Sequence, residues 1–252
     1  MTEPGLAGSV GREGGMDERA VQLQERLAAV RARVAAATLT AGRADEPGLI
    51  VVTKFHPAAD VARLAALGVR DVGENRDQEA SAKAAGLTDL ALRWHFIGQL
   101  QSKKAKSVVK YAHSVQSVDR PQLVEALAKA MLRAQEEDGR DGLECFIQVS
   151  LDDDAGEHRG GAAPADVGQL ADSIASAPGL RLAGVMAVAP LGARPEDAFE
   201  KLAGISAALR EAHPGAAAIS AGMSQDLEAA VRFGATHLRI GSDILGSRPP
   251  VG

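Results

Sequence analysis

Lys54 closes the apolar run Leu49-Ile50-Val51-Val52-Thr53, and a lysine so placed can do covalent chemistry. Burial disfavours an ammonium and lowers its pKa from about 10.4, and the neutral amine condenses with an aldehyde or ketone. A lysine that snorkels to solvent is the competing structural reading. Two later segments shift the balance, Ser220-Ala221-Gly222-Met223-Ser224 and Gly241-Ser242. Ser224 reads as the cap of a helix starting at Gln225, Gly222 lets backbone approach a ligand, and helix N-termini are ready sites for phosphate. Ordinary turn chemistry explains either segment alone; both together, opposite Lys54, specify a phosphorylated carbonyl compound. Pyridoxal 5'-phosphate meets the description, with its aldehyde held by Lys54 as a Schiff base and its phosphate by the two loops. Arg239, just before Gly241, could face the ring nitrogen. A guanidinium has no acceptor and stays protonated, so it would disfavour a protonated ring and weaken carbanion chemistry. A substrate carboxylate or a rim acid are the other partners open to it.

These residues lie far apart in the chain, so the fold must gather them. Short apolar runs recur at Leu49–Thr53, Val69–Val72, Leu92–Ile97, Ser114–Val118, Leu143–Val149, Leu180–Val188, Ala217–Ser220 and Thr236–Ile240. Helix-like sequence separates them, including Asp60–Leu67, Arg76–Ala85, Gln122–Gln135, Pro195–Glu211 and Gln225–Phe233. Strands apolar on both faces and alternating with helices predict a parallel sheet, and eight of them predict a single (β/α)8 TIM barrel. An open doubly wound sheet is the alternative, but the first strand–helix junction lacks G-x-G-x-x-G. Asp17 reads as an N-cap before Ala20, Leu23, Leu27, Val30 and Val34, an apolar stripe at helical spacing. This additional N-terminal helix fills the ring after the last strand, where no full helix follows. Residues 1–15 read as a disordered tail and 16–252 as one barrel domain. In such a barrel Lys54, Asn75, Ser150, Met223, Ser224, Gly241 and Ser242 all fall at the C-terminal rim, where chemistry sits.

Composition narrows the classes. Lys plus Arg number 28 against 33 Asp plus Glu, a net charge of −5, which argues against a broad nucleic-acid footprint. The one cysteine, Cys145, excludes an internal disulfide and reads as a small buried hydrophobe. No membrane-length apolar run and no secretory signal are visible, so a cytoplasmic protein is expected. His95 reads as a satisfied buried imidazole and His56 as a cap or mouth residue. No cluster has metal spacing. Lys103, Lys104, Lys106 and Lys110 read as a solvated face over about two helical turns. Asp152-Asp153-Asp154 reads as a solvated loop, with Gly160-Gly161 as the hinge of a lid.

The stretches LIVVTKFHP (49–57), VGENRDQE (72–79), WHFIGQLQSKKAK (94–106), FIQVSLDDD (146–154) and SAGMSQDLEAAVRFGATHLRIGSDILGSR (220–248) resemble the pyridoxal-phosphate homeostasis proteins, relatives of the alanine racemase barrel. The resemblance runs from about residue 17 onward. It implies pyridoxal phosphate on Lys54, Asn75 near the ring hydroxyl, phosphate on Ser224 and the Gly241-Ser242 loop, and Arg239 near the ring. It implies a role in vitamin B6 homeostasis without robust catalysis, and apo-enzymes as recipients of the cofactor; a monomer is expected. Ser242 stands where threonine is usual, Arg159 where lysine is usual, Leu245 where phenylalanine is usual, and Lys103 and Ser150 where asparagine is common.

A free-standing amino-acid racemase is the alternative. It needs acid–base groups on both faces of the substrate carbon. The chain runs six residues past Gly246 (252 − 246), leaving no room for the racemases' second domain, and Tyr111, the only tyrosine, is expected at the wrong rim. A class I aldolase fits the fold but not the motifs.

Overall fold

A computed structural model describes residues 17–152 and 160–247. The expected tail (1–15), Asp153, Asp154, Arg159 and Arg248 lie outside the described residues.

Eight parallel strands close in sequence order into a barrel: β1 Gly48–Val52, β2 Asp71–Glu74, β3 Arg93–Phe96, β4 Ala112–Val118, β5 Leu143–Gln148, β6 Leu180–Met186, β7 Ala218–Ser220 and β8 His237–Ile240. β1 closes the ring on β8, with Gly48 opposite His237 and Val51 opposite Ile240. The helices are α1 Glu18–Thr40, α2 Ala58–Ala66, α3 Asp77–Gly86, α4 Ala105–Val108, α5 Pro121–Asp138, α6 Val167–Ser176, α7 Pro195–Ala212, α8 Leu227–Arg232 and α9 Ser242–Leu245. All eight expected strands are present.

The Asp17 carboxylate accepts from Ala20 N at 2.7 Å and caps α1, whose Leu23, Leu27, Val30 and Val34 are buried. α1 packs against α2, α8 and α9. It therefore completes the outer ring where α9 contributes only four residues.

Three expectations need correction. β2 ends at Glu74, two residues beyond the apolar run Val69–Val72. Gly73 faces the lumen, where a Cβ would meet Ile50 at 3.1 Å and Ile97 at 3.3 Å, and Glu74 faces Lys83 of α3, so neither carries an apolar signature. β1 and β5 are apolar on both faces as expected, with Ile50, Val52 and Phe146 in the lumen, but β3, β4 and β8 are not. Leu238, Ile240, Val115 and Phe96 pack outward under the helices, while the intervening lumen positions hold Arg239, Ser114, Gln116 and His95, all buried. Finally, Lys103 to Lys110 do not share one helix face. Ser102–Lys104 is a 3-10 turn and α4 a single turn; all four lysines are exposed, as expected, and Lys104 pairs with Asp77 at 3.3 Å.

Candidate functional site

A cleft of ≈ 560 Å³ opens at the C-terminal ends of the strands. Lys54, Met223, Ser224, Arg239, Gly241 and Ser242 line it, so six residues that the sequence marked meet at one place. Asn75 is not among the lining residues; Ile97 is the side chain of that neighbourhood that reaches the cleft. Phe55, His56, Gln225, Asp226 and the segment 189–193 also line it. The last of these carries no polar marker, and no sequence signal pointed to it.

On one wall, the turn that carries Lys54 is held by buried charge. Lys83 Nζ donates to Thr53 O at 2.9 Å, Glu74 Oε1 at 2.7 Å and Glu79 Oε1 at 2.6 Å, which uses all three ammonium protons. Thr53 Oγ1 donates to Glu74 Oε1 at 2.6 Å, and Phe55 N donates to Glu79 Oε1 at 2.7 Å. Phe55 sits at φ +68°, a left-handed conformation that is uncommon for a bulky residue and persists only where the surroundings enforce it. Glu79, bonded to Phe55 N, and Lys83, bonded to Thr53 O, are the enforcing groups. Burial pushes the Glu74 carboxyl above its ordinary pKa, against the pull of the hydrogen bonds from Lys83 and Thr53. The sequence stretch GEN-x-x-QE contains both carboxylates, and Lys83 follows Glu79 by one helical turn; that spacing is the signal for this network.

His56 is buried, lines the cleft, and leaves Nδ1 without a hydrogen-bond partner, 3.9 Å from Asp60 Oδ2. Burial holds its pKa below the ordinary histidine value. Asn75 also carries an unpartnered buried atom, Oδ1. Gly98 sets its place: a Cβ there would stand 2.2 Å from the Asn75 carbonyl oxygen, so only glycine lets β3 and β2 end this close together.

The opposite wall is backbone and hydroxyl. Ser224 Oγ and Ser242 Oγ face each other at 3.4 Å. Ser224 does not cap a helix. α8 begins at Leu227, and the Asp226 carboxylate accepts from Met223 N at 2.6 Å, so Asp226 folds the loop back and leaves the Ser224 hydroxyl toward Ser242. Gly222 adopts φ +90° with room only for hydrogen, since a Cβ would lie 2.6 Å from the Ala230 Cβ. From behind, Arg33 of α1 donates to Ser224 O at 2.7 Å and pairs with Asp243 at 3.2 Å. Arg239 is fixed by Ser220 Oγ and the Ala187 carbonyl, each at 2.8 Å. Burial pulls its guanidinium down to about 10, which leaves it charged at neutral pH.

The remaining marked residues fall elsewhere. Tyr111 precedes β4, and its hydroxyl donates to Asp77 of α3 at 3.4 Å, away from the cleft. Burial raises its pKa well above the ordinary phenol value. His95 is hydrogen-bonded at both ring nitrogens, as a structural histidine should be. The Cys145 thiol is buried and pushed up to about 12 by that burial. Gly160, the expected hinge, has its carbonyl held by Gln148 Nε2 at 2.6 Å. Among the described residues no group of three His, Cys, Asp or Glu could hold a metal ion, and no helix is long and apolar enough to cross a membrane.

Fold and site together define a racemase-type barrel, a closed parallel cylinder with a lysine after its first strand facing hydroxyl-bearing loops after its last two. Residues 26–249 match the family described as alanine racemase, N-terminal domain. The pyridoxal phosphate homeostasis protein of Corynebacterium glutamicum is 47% identical over 203 residues, covering 80% of this chain and 90% of that protein. That of Mycobacterium tuberculosis is 42% identical over 246 residues, covering 92% of this chain and 95% of the relative. The solved structure of PipY from Synechococcus elongatus with PLP bound superposes with a TM-score of 0.76 at 33% identity, covering 89% of this chain and all of that one. The chain belongs to the pyridoxal phosphate homeostasis protein family.

Proposed function

We propose that this protein binds pyridoxal 5'-phosphate in the cleft, with Lys54 as its covalent anchor, and holds it for vitamin B6 homeostasis without robust catalysis of its own. The observation that carries this reading is the meeting of Lys54 with Ser224, Gly241, Ser242 and Arg239 in one cleft of ≈ 560 Å³. The residues fit the group: the Lys54 amine shares the cleft with two hydroxyls that face each other at 3.4 Å, and beside the cleft the buried Asn75 Oδ1 has no hydrogen-bond partner and could accept from a ring hydroxyl. The bound state of PipY, a 33% identical neighbour, adds to the case.

When bound, the cofactor supplies an aldehyde that condenses with a primary amine. Lys54 offers that amine. The Ser224 and Ser242 hydroxyls donate to a phosphate, an arrangement stronger than a neutral hydrogen bond because the acceptor is charged. Arg239, which can only donate and stays charged, keeps a facing ring nitrogen unprotonated and disfavours electron withdrawal through it. Val52, Ile97 and Met223 supply apolar cleft wall. The proposed carrier is a monomer, its binding domain residues 16–252, delivering its cofactor to apo-enzymes in the cytoplasm. The racemase alternative gains nothing from the geometry: Lys54 and His56 share one loop, and Tyr111 is bonded to Asp77.

Incubation with pyridoxal phosphate, borohydride reduction and peptide mapping test the reading. Label on Lys54, and loss of the yellow absorption band in Lys54→Ala, are expected; a label elsewhere overturns it. Loaded protein given single-enantiomer amino acids in deuterated water should incorporate negligible deuterium at Cα. Incorporation at enzyme-like turnover would establish the racemase instead.

A further inference from the structure

Barrel lumens are normally filled by bulky branched side chains. Here the centre carries Ser114, Gln116, Ser220 and Arg239 with His95, all buried. They form a connected path. Arg239 Nη1 donates to Ser220 Oγ at 2.8 Å, and Ser220 Oγ donates to Gln116 Oε1 at 2.7 Å. Gln116 Nε2 faces His95 Nδ1 at 3.5 Å, and His95 Nε2 meets Asp71 Oδ1 at 2.8 Å. Arg93 closes the far end, donating to the two Asp71 oxygens at 2.7 and 2.6 Å. Asp71 borders a second cavity of ≈ 400 Å³ below β1 and β2, at the mouth opposite the cleft.

The two ends dictate the direction of every bond between them. A guanidinium only donates, and an ionised carboxylate only accepts. Burial alone would raise the Asp71 carboxyl, but hydrogen bonds from His95 and Arg93 outweigh it and hold it well below the carboxylate range. Ser220 accepts from Arg239, so its single proton goes to Gln116 Oε1. Gln116 then presents its N–H to His95 Nδ1, and His95 carries its proton on Nε2, toward Asp71. Ser114 Oγ, 2.7 Å from Nδ1, is the nearer donor to the single lone pair of that nitrogen, which Gln116 Nε2 shares at 3.5 Å. Burial holds His95 below the ordinary histidine value against the pull of Asp71, so the neutral ring that this path requires is the resident one. Hydrogen bonds aligned head to tail polarise and strengthen one another.

We propose that Ser220, Gln116 and His95 are positioning residues: they hold the Arg239 guanidinium in one orientation at the cleft through a one-way hydrogen-bond chain anchored on Asp71. The chain itself needs no cofactor, and only its consequence for binding rests on the pyridoxal phosphate reading.

Side-chain nitrogen-15 spectra of the protein without added ligand test it, the Arg239 signal being assigned by its loss in Arg239→Lys. Slow guanidinium proton exchange is expected in the native protein. Exchange should be roughly tenfold or more faster in Gln116→Leu and Ser220→Ala. Ser220→Thr, which keeps the hydroxyl, should restore the slow rate. Phe146, buried in the lumen with Ala183 and Met186, makes none of these hydrogen bonds; Phe146→Leu should lower stability and leave the Arg239 rate alone. Pyridoxal phosphate titrated into Gln116→Leu and Ser220→Ala should bind roughly tenfold more weakly with a shifted absorption band. Unchanged Arg239 exchange in both variants overturns the proposal, and so does faster exchange with unaltered affinity and band. A native protein that takes up no pyridoxal phosphate while Arg239 exchange still responds overturns the cofactor reading and leaves the chain standing. Should Gln116→Leu fail to fold, Ser220→Ala, which deletes one atom, decides alone.

Discussion

Behind Lys54 the cleft wall is made of buried charge, with Lys83, Glu74 and Glu79 sharing one knot of hydrogen bonds beneath the turn. Across the cleft, the wall under Ser224 and Ser242 is made of backbone, glycine and neutral hydroxyls beside the buried cation Arg239, with the Asp226 carboxylate spent on Met223 N and Arg33 meeting Asp243 behind it. On the proposed reading, the difference follows from what each wall must do. A wall that fixes a reactive amine on a strained turn gains from groups whose partners are all internal. A wall that receives a phosphate must keep its hydroxyls uncommitted, so its stiffness comes from glycine geometry and from Asp226 and Arg33 bonded to its backbone.

Removing the shared cation is the hardest blow to the charged wall. Lys83→Met leaves Glu74, 1% exposed, without its cation. Urea denaturation should show a loss of about 3–5 kcal/mol. A loss below about 1 kcal/mol would mean that the knot contributes no more than an exposed ion pair does, and the contrast would dissolve. The hydroxyl wall should respond in binding instead of stability. Ser224→Ala and Ser242→Ala should each weaken pyridoxal phosphate binding by about 1.5–3 kcal/mol, roughly tenfold to a hundredfold. Pyridoxal, which has no phosphate, should bind the same variants as it binds the native protein; equal weakening of both ligands in fluorescence titrations would place the phosphate elsewhere.

The stiffness of that same wall should be visible at Gly222. Gly222→Ala forces a side chain into φ +90° and a 2.6 Å contact with Ala230, and should lower stability by at least about 1 kcal/mol. A neutral effect in thermal unfolding would show that the loop is free to move. The smallest effect is a slope. The folded protein raises the Glu74 carboxyl above its ordinary value of 4.5, so its stabilising contribution is complete below that pH and is lost as pH rises through the folded value. The stability of the native protein relative to Glu74→Gln should therefore fall between pH 4 and neutrality, while the difference from Ser224→Ala stays level. Chemical denaturation at stepped pH reads both, and a native advantage over Glu74→Gln that grows with pH would reverse the sign assigned to Glu74.

Much of the barrel was legible in linear order. Eight apolar runs separated by helical sequence became eight strands, and the Asp17 cap with its Leu23, Leu27, Val30 and Val34 stripe became the helix that completes the ring. Both patterns are local, set by backbone hydrogen bonding and by which face must leave water. Lys54 and the two serine loops were legible for a related reason, because a parallel barrel sends every strand end to the same rim whatever lies between.

Other features depended on partners distant in the chain. The strand ends Gly73 and Glu74 carry no apolar mark, because one meets the lumen and the other meets Lys83 from the next helix. Asp226 displaced Ser224 from its expected capping role through a bond to Met223 N that spacing alone did not select. The residues 189–193, apolar and unremarkable in sequence, became cleft wall only when the β6–α7 connection folded over it. Residue type and periodicity thus settled that this chain would form a closed parallel barrel with an amine and two hydroxyl loops at one rim. Only the tertiary structure decided which polar groups found partners inside it, because a buried hydrogen bond depends on atoms meeting within about 3 Å, and closure of the barrel brings Ser220 onto Gln116 from a position 104 residues away, so that Arg239, Gln116 and Asp71 share one path.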